Sequence, residues 1–196
     1  MATAATRPAA PTQRRFTVDE YHRMGKAGVF SENDRVELLD GQIYAMSPIG
    51  SEHAACVRRL DRLFQRKVGS RVIVSTRNPI RLNEASEPEP DLALLSPRDD
   101  DYAARHPHPD DVLLVVEVTD TSAAFDQDVK RPLYARAEIP ELWIVDLASD
   151  RIEVHRAPRD DEYTEKQPVE RGQSIPVQAL SALDPVSVQD VLGPDQ

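Results

Sequence analysis

Apolar residues recur along this chain with two different periods, and the switches between them mark out its elements. In "SEHAACVRRLDRLFQRKVG", Val57, Leu60, Phe64 and Val68 fall at helical spacing and form one apolar stripe, with Arg58, Arg59, Arg62 and Arg66 opposite. Ser51 is placed to cap this helix and Gly69 to end it. "FTVDEYHRMGKAG" carries a capping box, Thr17 with Glu20 three residues on, which predicts a short helix over about 18–26. "FDQDVKRPLYARAEI" predicts another helix, with Pro132 either in its first turn or kinking it.

The strand signals are of two kinds. "VLLVVEV" is almost continuously apolar, as expected of a central strand covered on both faces, and "DLALL" reads as a second buried strand. "RVELLDGQIYAMSP" places Asp40-Gly41, a strong two-residue turn signal, between two strands of a hairpin. "RVIVST" and "NPIRL" read as one interrupted strand or two short ones, and "DYAARHPHPDD" as a polar loop. "ELWIVDLASDRIEVHRA" predicts strand, turn and strand. From Pro158 the chain is polar, with "SIPVQAL" and "VSVQDVL" read as a last edge strand and a short terminal helix. The order predicts one α/β domain over residues 16–192, a central mixed sheet flanked by helices with β-hairpin additions, after a disordered leader over 1–15.

Composition narrows the class. The chain has 196 residues, 40% hydrophobic and 30% charged, enough for a core and ordinary for a globular protein. Its apolar runs are too short to cross a bilayer, and its start has no apolar signal region. The lone cysteine, Cys56, rules out an internal disulfide, reads as a buried structural thiol and suits a reducing cytoplasm. A net charge of −10 disfavours casual nucleic-acid binding but not a nuclease, whose metal-binding carboxylates add negative charge.

Four ionisable residues lie in or beside apolar segments: Glu37 in "RVELL", Asp91 in "PEPD", Glu117 in "VVEV" and Lys130 in "DVKRPLY". A carboxylate interrupting a central strand is rarely buried without a partner, although Glu117 could also reach solvent or an arginine near the strand end. Asp91 alone could cap a turn. Two carboxylates at the ends of adjacent strands suit a divalent cation, because Mg²⁺ takes one or two carboxylates and completes its shell with water and phosphate oxygens. Lys130 follows Asp126 by four residues, the spacing of an ordinary helical ion pair. His53, near a helix start, reads as a surface or capping residue or a site residue, and Trp143 as core. The stripe of Arg58, Arg62 and Arg66 either tracks phosphates or is a solvated helix face.

"PEPD" followed by "VVEV" resembles the PD-(D/E)XK nuclease signature, and the wider chain resembles its Uma branch of restriction-endonuclease-like proteins. The likeness runs from about Phe16 to Pro158, and "DQDVKRPLYARAEIPELWIVD" is its most specific part. The resemblance implies a restriction-endonuclease-like fold and a Mg²⁺ site, with Mn²⁺ able to substitute, formed by Asp91, Glu117 and the carbonyl of Val118. It further implies Glu37 assisting the metal or its water, and a homodimer cutting DNA. The signature lysine normally stands two residues after the glutamate, where this chain has Thr119; the resemblance assigns that role to Lys130. Gln127 and Tyr134 then read as supports. An inactive nuclease-fold binding or scaffold protein is the alternative, and a small-phosphoester hydrolase a third reading.

Overall fold

The protein's structure is a computed structural model that describes residues 12–31, 33–120 and 125–194, without the side chain of Asp126. Residues 1–11 of the expected leader, and the Asp126 partner expected for Lys130, therefore lie outside the described residues. Within the leader's remainder, Arg14 bonds Glu20 at 2.7 Å and Arg15 pairs with Asp40.

Helix α1 spans Val18–Lys26, and both halves of the Thr17–Glu20 capping box form. Strands β1 (Val36–Leu39) and β2 (Gln42–Ala45) make a separate hairpin. Its two turn residues both lie in the left-handed region, Asp40 at φ 50° and Gly41 at φ 76°, the conformation that favours an Asp-Gly pair. Helix α2 spans Ser51–Val68. Its N-cap is Gly50, without a side-chain capping bond, so Ser51 starts the helix rather than capping it; Gly69 ends it as expected.

Six strands form the central sheet: β3 (Ile73–Ser75), β4 (Leu92–Leu95), β5 (Val112–Thr119), β6 (Glu141–Asp146), β7 (Arg151–Arg159) and β8 (Glu162–Glu170). They lie side by side in chain order. Only the β5–β6 pair is parallel; the other four neighbours are antiparallel, so the sheet is mixed. The β5-to-β6 crossover carries a π-helical turn, Asp126–Lys130, and helix α3, Arg131–Arg136, with Pro132 in the first turn of α3. The chain ends in β9 (Ser174–Ile175), paired with β10 (Val186–Ser187), and helix α4 (Val188–Leu192).

Two expectations fail here. "NPIRL" forms no strand, although Ile80 and Leu82 are buried. The polar stretch after Pro158 contains β8, the edge strand, which reading the sequence missed. Along β8 only Tyr163 and Val169 are buried, so an edge strand exposed along most of its length carries almost no apolar period.

The sheet's side chains alternate between two cores. Cys56, Val57, Leu60, Phe64 and Val68 of α2 pack with Leu114, Val116, Trp143 and Val145 on one face, joined by Val188 and Val191 of α4. Leu133, Tyr134 and Ala135 of α3 pack with Ala93, Val115, Leu142 and Ile144 on the other. Burial raises the Cys56 thiol to about 12, which keeps it protonated, in keeping with a structural role.

Candidate active site

Glu117 continues the alternation of Val115 and so belongs to the α3 face of β5. On β4, Leu92 pairs with Val116 and Ala93 with Val115, so Asp91, one residue before β4, falls across from Glu117. The two carboxylates thus come to neighbouring strand ends by sheet register alone. Both border one cavity of about 560 Å³, together with Glu37, Glu89, His53 and Lys130.

Each acidic side chain is held by specific donors. The Val118 N–H donates to Asp91 Oδ2 at 3.0 Å, and His53 Nε2 lies 2.9 Å from Asp91 Oδ1. The Tyr134 hydroxyl donates to Glu117 Oε1 at 2.7 Å. Lys130 Nζ is 3.3 Å from Glu117 Oε1 and 3.2 Å from Glu37 Oε2. Glu37 Oε2 also accepts from the Glu89 N–H at 3.2 Å. Glu37, Glu117 and Lys130 are 3%, 3% and 6% exposed, so the ammonium and its two carboxylates form a desolvated triad. Lys130 and Tyr134, four residues apart, reach the same Glu117 oxygen. Lys130 closes the π-helical turn and Tyr134 follows it in α3; an extra residue in a turn is a common device for aiming side chains at a site.

The structure thus brings Glu37, Asp91, Glu117, Lys130 and Val118 to one cavity, and adds His53 to it as Asp91's partner. It does not bring Arg58, Arg62 and Arg66 there. Arg62 and Arg66 border a different cavity beside α4, and Arg58 is exposed on α2. Arg59, grouped with them by sequence, is committed to structure: Nε bonds the Val191 carbonyl at 2.8 Å and a terminal nitrogen bonds the Leu192 carbonyl at 2.7 Å. Thr119, at the position of the signature lysine, is fully buried, and the ammonium beside Glu117 comes from Lys130 instead. Trp143 is fully buried in the core, as expected.

Sequence reading missed Glu89 and Arg35. Glu89 precedes Asp91 by two residues and Arg35 precedes Glu37 by two, so period-two spacing from each candidate would have found them. Burial, and then the nearby Glu37 carboxylate, push the Glu89 carboxyl above its usual range. Burial, and then Arg77, hold Arg35 below the usual guanidinium range.

The donor set fits a hard dication. Asp91 and Glu117 present carboxylate oxygens on one cavity wall. The N–H and carbonyl of a strand residue face the same neighbour, so the Val118 carbonyl is turned to the side where its N–H meets Asp91. The raised Glu89 carboxyl marks a crowded acidic pocket that a cation would relieve. These oxygens do not converge as three side-chain ligands on one point. An ion there would draw on two carboxylates, a backbone carbonyl and water, the usual manner of Mg²⁺.

The sequence profile of the Uma2 family, described as "Putative restriction endonuclease", matches residues 18–189. No curated protein matches the chain. Among solved structures, the chain is similar to one described as "a putative nuclease belonging to DUF820" from Anabaena variabilis ATCC 29413. The TM-score is 0.69 at 13% identity, over 90% of this chain and 97% of that one. At that identity the likeness speaks for the fold.

Proposed function

The chain belongs to the Uma2 restriction-endonuclease family, and we propose that it is a metal-dependent endonuclease that hydrolyses DNA phosphodiester bonds at the Asp91–Glu117 cavity. The observation that carries this reading is the placement of Asp91 and Glu117 across adjacent strand ends, with a buried lysine 3.3 Å from Glu117.

In this reading Asp91, Glu117 and the Val118 carbonyl would hold Mg²⁺, with Mn²⁺ able to substitute. Bound there, the ion supplies Lewis acidity to a phosphate oxygen and lowers the pKa of a water. The chain's own groups prepare the site. His53 and the Val118 N–H fix the two Asp91 oxygens. Tyr134 and Lys130 fix Glu117. Glu37 holds Lys130 from the other side, so the ammonium stays at the cavity wall, where it stabilises charge developing on the attacked phosphate or orients the nucleophile. Arg35 and Lys130 give this acidic protein two local cations where a phosphate would arrive.

Two strands require two cuts, which favours a homodimer. No helix among the described residues is long and apolar enough to cross a membrane; with the buried thiol of Cys56, a cytoplasmic setting fits. The alternative, a nuclease fold that binds without cutting, draws on Thr119 at the signature position and on Lys130 being engaged by two carboxylates. Plasmid incubated with Mg²⁺ or Mn²⁺ separates the two: we expect cleavage by the wild type and none by Asp91→Ala. Intact plasmid with both proteins would favour the binding reading.

A further inference from the structure

A second cluster of ligating side chains lies outside the cavity just described. His22 of α1, Glu87 of the segment leading to β4, and His106 of the loop before β5 each place one ligand atom within 4.8 Å of the others. His22 Nε2 lies 2.6 Å from Glu87 Oε1, and the two imidazole rings are 6.0 Å apart.

The three segments are docked there by backbone bonds, so the cluster is part of the folded frame. The Val18 N–H donates to the Glu84 carbonyl at 2.8 Å and brings the start of α1 against the stretch that carries Glu87. The Glu87 N–H donates to the Leu38 carbonyl at 2.7 Å. The Arg81 N–H donates to the Pro107 carbonyl at 2.9 Å, which holds the neighbour of His106 against the same stretch.

A separate observation points to a ligand. Glu87 is only 3% exposed, and its Oε2 has no hydrogen-bond partner among the described residues. A buried carboxylate oxygen without a donor costs free energy that a cation would offset. His106 is exposed, which leaves a route for an ion to enter.

We propose that His22, Glu87 and His106 form a second metal site, selective for a borderline dication of the Zn²⁺ class. Two imidazole nitrogens and one carboxylate suit Zn²⁺, whereas Mg²⁺ prefers an all-oxygen shell. Three protein ligands leave the fourth tetrahedral position to water or an incoming ligand. Bound there, the ion ties α1, the segment before β4 and the loop before β5 to one point. The site stands independently of the nuclease reading, since none of its three residues borders the Asp91–Glu117 cavity.

The test is Zn²⁺ titration by calorimetry, with Co²⁺ as a visible-absorbing stand-in. It uses wild type, Asp91→Asn, His106→Ala and Glu87→Gln, the fold of each checked by near-ultraviolet circular dichroism. His106 is exposed, so its replacement leaves the core untouched. We expect one tight Zn²⁺ per chain in wild type and Asp91→Asn, with a higher melting temperature in the metal. Losing a partner that merely orients a ligand costs 10- to 100-fold in affinity, so loss of His106 itself should cost at least about 100-fold. Absence of Zn²⁺ binding by wild type would overturn the proposal. So would Zn²⁺ affinity unchanged by His106→Ala, which would leave His22 and Glu87 a hydrogen-bonded pair only. Binding lost in Asp91→Asn but kept in His106→Ala would assign the ion to the other cavity and overturn it too.

Discussion

Replacing Lys130 removes more than one charge. The sequence spacing suggests a surface pair with Asp126, worth only a few tenths of a kcal/mol. The structure buries Lys130 against Glu37 and Glu117. Removing one member of a buried ionic cluster leaves the others uncompensated and costs about 3–5 kcal/mol. For a domain of this size that is a fall in melting temperature of roughly 6–20 °C. We expect Lys130→Met to show that drop, and in the nuclease reading to lose about 100-fold or more in cleavage below its melting point. Cleavage at the wild-type rate would remove Lys130 from the chemistry; an unchanged melting temperature would contradict the buried triad. Glu89 gives a different signature. Its carboxyl is held above the usual 4.5 by burial and by Glu37. The folded chain therefore binds more protons than the unfolded one above that value, and stability falls as pH rises through the window. Glu89→Gln removes this effect, so its stability relative to wild type should be higher at about pH 7 than at about pH 4. Urea melts giving the same difference at both pH values would rule it out.

The elements differ in how tightly local chemistry specifies them. The β1–β2 turn is the tightest. A Cβ at Gly41 would meet Arg15 Cβ at 2.5 Å, on a residue already at φ +76°. We expect Gly41→Ala to cost at least about 1–2 kcal/mol from the left-handed conformation alone. The urea midpoint should fall with the slope unchanged; a midpoint equal to wild type would show that the turn can relax. Because Glu37 lies on β1, loosening this hairpin also loosens one wall of the triad. The crossover between β5 and β6 is the element that most directly joins structure to site: its π-helical turn and α3 put Lys130 and Tyr134 on Glu117 while Leu133 and Ala135 pack the sheet. At the far edge, β8 is held by its pairing to β7 and by Tyr163, whose hydroxyl donates to the Ile139 carbonyl at 2.9 Å.

Across the protein, the acidic balance and the acidic cavity point the same way. A site that gathers Glu37, Glu89, Asp91, Glu117 and Asp120 around Arg35 and Lys130 carries excess negative charge, and a bound dication should stabilise the fold by mass action. We therefore expect Mg²⁺ or Mn²⁺ to raise the melting temperature of the wild type and not of Asp91→Ala. Binding should also release protons, since a nearby dication lowers the raised Glu89 carboxyl. Scanning calorimetry showing no shift with either ion would count against a working metal centre.

Much of this protein was legible in local pattern, because helices, tight turns and central strands each leave a short-range period or a fixed pair of residues. The capping box at Thr17, the Asp40-Gly41 turn, the apolar stripe of α2 and the run of β5 all formed where the pattern put them. Asp91, Glu117 and Lys130 stood out because an ionisable group interrupting or adjoining an apolar run is costly wherever the chain folds. What pattern could not hold were contacts between distant segments. His53 meets Asp91 across 38 residues and His22 meets Glu87 across 65, and neither histidine differs locally from a solvated one. Strand β8 was hidden because its stability comes from pairing with β7 rather than from an apolar face of its own. The burial of Lys130 with Glu37 and Glu117 likewise depended on where the crossover docks, since burial of a charge is decided by packing around it and not by its neighbours in sequence.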